Sequence, residues 1–147
     1  MKKRSRAREL ALQAQYAWEM SENKTHTGVE VFARNDDEEI LEFSRELYRR
    51  TIQNKNMLDE DISASVLNWE FSRIALIDRL ILRMALCEIL YFDEIPPKVT
   101  INEAIDLAKK YSTAESGRFV NGILDSLFKK YQMEERIHKK GRGLVDS

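Results

Sequence analysis

Residues 78–92 constrain this chain more than any other stretch. Leu80, Ile81, Leu82, Met84, Ala85, Leu86, Ile89, Leu90, Tyr91 and Phe92 leave few polar positions between them. Wound at about 100° per residue, they cover nearly the whole circumference of a helix. A helix that is apolar on every side is stable only when other elements enclose it, so this one is central and buried. It stops at Asp93-Glu94-Ile95-Pro96-Pro97, because proline cannot continue a helix and restricts the residue before it. The rest of the chain must supply the enclosing elements.

It does so with amphipathic helices. Residues 4–20 repeat Ala7, Leu10, Ala14, Ala17 and Trp18 on one face, with Arg4, Arg8 and Gln15 opposite and Tyr16 at the edge. A polar break covers 21–26, and a short helix is expected over 29–34. Asn35-Asp36-Asp37-Glu38 is a capping start to a helix carrying Ile40, Leu41, Phe43, Leu47, Tyr48 and Ile52. Another helix is predicted over 56–67, with Met57, Leu58, Ile62 and Val66 inward. A connection at 68–70 and a helical turn at 72–77 lead into the central segment. Thr100 to Glu103 reads as a capping box opening a helix to Tyr111. Ser112 to Glu115 reads as a second box, opening a helix to Tyr131. The charged stretch 134–147 is expected to be a flexible tail.

No alternating strand pattern occurs, and 5 Gly and 2 Pro in 147 residues let most of the chain be helical. The expectation is an all-α fold of about seven helices, one domain over 1–133. No stretch approaches the roughly eighteen apolar residues of a membrane span, so a cytoplasmic protein is expected. Cys87, the single cysteine, lies in the most apolar stretch and reads as a buried structural thiol.

Catalysis fits this sequence poorly. His26 and His138 fall in a polar loop and a charged stretch, without partners at metal or triad spacing. There is no glycine-rich phosphate loop. Neither a cofactor nor a metal is expected, and the chain reads as a binding protein rather than an enzyme.

The net charge of −1 hides a polarised distribution. Lys2, Lys3, Arg4, Arg6 and Arg8 open the chain without an acid among them, whereas Asp36, Asp37, Glu38, Glu39, Glu42 and Glu46 face a single Arg45. Arginines grip phosphate and stack on bases, so the first helix is a nucleic-acid candidate, with Gln13, Gln15 and Tyr16 beside them. A merely solubilising basic end fits the same pattern. Gly122 is the second unusual feature, since glycine costs roughly 1 kcal/mol inside a helix. It marks either close helix packing or close approach of a ligand backbone beside Arg118, Asn121 and Asp125.

These residues carry a resemblance. Residues 4–16, from Arg4-Ser5-Arg6-Ala7-Arg8 to Gln15-Tyr16, are similar to the opening of NusB proteins, with Ser5 interrupting the family's arginine run. Residues 77–90 resemble the family's central helix. Ile95-Pro96-Pro97 with Ile101-Asn102-Glu103-Ala104 follows, and then Gly117-Arg118-Phe119-Val120-Asn121-Gly122, in the family's order. The resemblance implies two packed helical bundles. It implies binding to the boxA element of nascent ribosomal RNA as single-stranded RNA, together with NusE, a small-subunit ribosomal protein. Transcription antitermination with other Nus factors on RNA polymerase follows. By resemblance, RNA contacts are expected at Arg4, Arg6, Arg8 and Tyr16, completed around Phe119, Asn121 and Asp125; Gln13 and Arg118, as neighbouring donors, are expected to join them. Arg79, Arg83, Glu88, Tyr91 and Phe92 are expected to meet NusE. Some relatives form homodimers, so that state is allowed as well. A NusB-like domain also occurs fused to RNA cytosine methyltransferases, but no Rossmann half or cofactor loop is present here. A helical module that binds only protein is the remaining rival.

Overall fold

The computed structural model describes residues 2–24, 28–66 and 73–145. The described residues form six α-helices and two short 3-10 turns, and no strand occurs among them. The all-α expectation holds. The chain groups into two compact units, Met1–Gln53 and Asn54–Ser147.

The first unit pairs α1 (Lys3–Met20) with α2 (Glu38–Gln53), linked by a 3-10 turn at Val29–Phe32. Ala7, Leu10, Ala11 and Ala14 of α1 are fully buried, as their helical spacing predicts. The start of α2 is where the sequence places it. Asp37 is its cap: the side-chain Oδ1 accepts the Ile40 amide at 3.0 Å and the main-chain carbonyl accepts the Leu41 amide at 3.1 Å. Glu38 and Glu39 in the first turn and Arg50 in the last both suit the helix dipole.

The second unit is built round α4 (Leu76–Tyr91), against which α3 (Lys55–Ser65), α5 (Pro97–Tyr111) and α6 (Ala114–Met133) all pack. Every residue of α4 from Leu80 to Leu90 is buried, Cys87 included, so the helix that is apolar all round is the central one of its unit. Leu76 and Ile77, expected in a preceding turn, are its first residues. His26, Leu67, the connection 68–70 and Ser72 lie outside the described residues.

Both capping boxes need correction. α5 begins three residues before Thr100, with Pro97 in its first turn, because the fixed φ of proline suits a helix start and its missing amide hydrogen is not needed there. The freed Thr100 hydroxyl instead donates to Glu88 Oε1 at 3.0 Å. α6 is capped by Thr113 rather than Ser112, and Thr113 Oγ1 accepts the Ser116 amide at 3.1 Å.

The stretch beyond α6 makes defined contacts. Lys139 Nζ donates to the carbonyls of Glu88 (3.1 Å) and Phe92 (2.7 Å) at the C-terminal end of α4, where a cation suits the helix dipole. Burial pushes the Lys139 ammonium down to about 8. Gly143 lies so close to Asp93 that an added β-carbon would sit 1.9 Å from its carbonyl oxygen.

Candidate nucleic-acid interface

The start of α1 breaks a local rule. Its first turn holds cations and no acid, whereas a helix N-terminus favours negative charge by about 0.3–1 kcal/mol per group. The acidic start of α2 answers this in part. Lys3 Nζ lies 2.8 Å from Asp37 Oδ2 and 2.8 Å from Glu39 Oε2. Arg6 grips Asp36 with both arms of its fork, Nε to Oδ1 at 2.9 Å and Nη2 to Oδ2 at 3.1 Å, and also donates to the Phe32 carbonyl at 3.4 Å. These bonds hold the Asp36 and Asp37 carboxyls below their ordinary range, the first through Arg6 and the second through Lys3.

The three arginines therefore differ. Arg4 is exposed, with its guanidinium carbon 4.8 Å from the centre of the Phe43 ring. Arg6 is half-buried in its pair with Asp36. Arg8, placed by the sequence on the solvent face, is only 3% exposed, and its guanidinium also lies over Phe43, at 5.6 Å. That corrects its expected part as a direct RNA contact: α2 covers the side of α1 that the helical wheel left open. Tyr16 is exposed at 41%. Gln13 is half-buried, and its Oε1 is buried without a hydrogen-bond partner among the described residues. Gln15 is fully buried. Phe43, which its helical spacing marks only as a core position, is the ring that Arg4 and Arg8 share.

In the second unit α6 presents a different surface. Val120 and Leu124 are fully buried and anchor the helix, while Arg118, Asn121, Gly122 and Asp125 are exposed and Phe119 is half-buried. A β-carbon added at Gly122 would meet nothing within 4 Å. Close helix packing therefore does not explain this glycine. Asp125 and Asn121 share a helical face, and Asp125 pairs with Lys129 at 3.2 Å.

The residues expected to meet a protein partner separate into two kinds. Arg79, Tyr91 and Phe92 are partly exposed. Arg83 and Glu88 are each 1% exposed, which removes them from any surface. Arg83 binds Asp59 through Nε (2.6 Å) and Nη2 (3.0 Å), and Glu88 accepts from Thr100. A charged residue on a helix enclosed on all sides has no route to solvent, so both are paired inside.

Comparison with known proteins bears on this arrangement. The sequence profile of the NusB family matches residues 5–129. The chain is 42% identical over 146 residues to "transcription antitermination protein NusB" of Chloroherpeton thalassium, covering 97% of this chain and 69% of that one. The fold matches that of T. maritima NusB with a TM-score of 0.81 at 35% identity, over 90% of this chain and 95% of the other. It also matches a chain from the crystal structure of antitermination factors NusB and NusE with double-stranded RNA, with a TM-score of 0.77 over 89% of this chain and 99% of that one. At 23% identity, the latter likeness is one of fold.

Proposed function

The chain belongs to the NusB family, and from that premise we propose that it is a transcription antitermination factor. It binds boxA-type single-stranded RNA of nascent ribosomal RNA transcripts together with NusE. With other Nus factors it acts on RNA polymerase in the cytoplasm, suppressing premature termination. The reading is of a binding protein, not an enzyme, and it extends to this chain the NusE and RNA partners of a protein that shares its fold.

The observation that carries the proposal is the cationic first turn of α1. A helix start that keeps Lys3, Arg4 and Arg6 against its own dipole gives up local stability. Violations of this kind concentrate where function requires them. Phosphates would add to the negative charge that Asp36, Asp37 and Glu39 supply only in part. The glycine of α6 is a second such violation, with no packing contact to explain it.

The test is to add a boxA-like RNA to the isotope-labelled protein and follow the side-chain and amide resonances. Arg4, Tyr16, and Arg118 to Asp125 are expected to shift. Shifts confined to other surfaces would overturn the assignment of these residues to RNA.

A further inference from the structure

Two guanidinium groups converge on one ring in the first unit. Arg4 and Arg8 lie one turn apart on α1, and their guanidinium carbons sit 4.8 Å and 5.6 Å from the centre of Phe43 on α2. Both distances fall within the range of cation–π attraction. Arg8 is the buried member and Arg4 the exposed one. The neighbouring cations are held differently: Lys3 and Arg6 are engaged by the carboxylates of Asp37, Glu39 and Asp36. Arg4 is thus the arginine of this run that is both exposed and set against an aromatic face.

That setting suits one chemistry better than another. A phosphate needs charge and donors, which a lysine also supplies, as a point charge. A nucleobase needs a flat partner, and a guanidinium plane provides one. A guanidinium supported from behind by a ring loses less freedom when a base stacks on its other face. We propose that Phe43 is a positioning residue of the RNA surface: it holds the Arg4 guanidinium so that an unpaired base stacks on it, with Arg8 packed against the same ring. This rests on the RNA-binding reading above and assigns Arg4 to a base rather than to a phosphate.

The test uses the full chain and a boxA-like single-stranded RNA in which each position in turn is made abasic. With the natural protein, removal of one particular base is expected to weaken binding by about fivefold, the scale of an exposed cation–π contact. In Phe43→Leu and in Arg4→Lys, the intact RNA is expected to bind about fivefold more weakly, and removal of that same base then has no further effect. Phe43→Tyr, which keeps the π face, is expected to restore the natural pattern. Thermal melting of each variant separates a folding defect, which weakens binding to every RNA equally, from loss of the stack. An Arg4→Lys variant that binds like the natural protein would overturn the proposal, as would a Phe43→Leu variant that keeps the abasic penalty. If Arg4→Ala weakens binding while Phe43→Leu does not, the positioning role fails and the RNA reading survives. If the natural protein binds none of these RNAs, even with NusE present, both fail.

Discussion

Gly122 and Arg83 show how one residue can be odd for opposite reasons. Gly122 stands on an exposed helical face with open space where a side chain would be. Gly122→Ala is expected to stabilise the protein by about 1 kcal/mol, the intrinsic helix preference of alanine. It is also expected to weaken RNA binding severalfold, because the new methyl keeps an RNA backbone away. Chemical denaturation and an RNA titration measure the two effects, and unchanged affinity would remove Gly122 from the RNA surface. Arg83 is buried and bound to Asp59 by two hydrogen bonds. Arg83→Ala leaves that carboxylate without its main partner and is expected to cost about 3–5 kcal/mol in a urea melt. A variant of natural stability with weakened NusE binding would return Arg83 to the partner surface. The burial of Arg83 and Glu88 was legible in principle, since an all-apolar helix has no exposed side. Their partners Asp59 and Thr100 were not, because no periodicity links distant helices.

The helices themselves were largely readable. The centrality of α4 followed from its composition, and the cap of α2 from Asp37. The errors came from elements whose ends have competing signals. Two prolines outranked a threonine at the start of α5, and two adjacent hydroxyl residues offered rival caps for α6. The contacts of Lys139 with α4 depend on tertiary approach and leave no local trace. Charge patterning along α1 and α2 was visible as polarity, whereas the pairing of the two runs was not. That pairing makes a prediction at this scale. Asp37→Asn with Glu39→Gln keeps the α2 cap, since asparagine accepts the same amide bond, but releases Lys3. RNA affinity is expected to rise, and the slope of log affinity against log salt to steepen by about 0.7, one cation's share on single-stranded RNA. A slope equal to that of the natural protein would mean that Lys3 takes no part.

Across the molecule, 24 basic and 25 acidic residues nearly cancel, so overall charge cannot draw RNA to the protein. The proposed binding rests on local placement: an exposed arginine against a ring on one helix pair, and an open glycine among polar groups on α6. Composition and periodicity alone left the basic start undecided between RNA contact and solubility. The family resemblance pointed to the RNA and the partner, and of the three arginines only Arg4 is exposed. The measurement that tests the central claim most directly is a titration of the protein, in the presence of NusE, with a boxA-like RNA and a scrambled RNA of the same composition at one fixed salt concentration. The boxA-like RNA is expected to bind at least tenfold more tightly, a difference of about 1.4 kcal/mol. Equal affinity for the two would contradict the account.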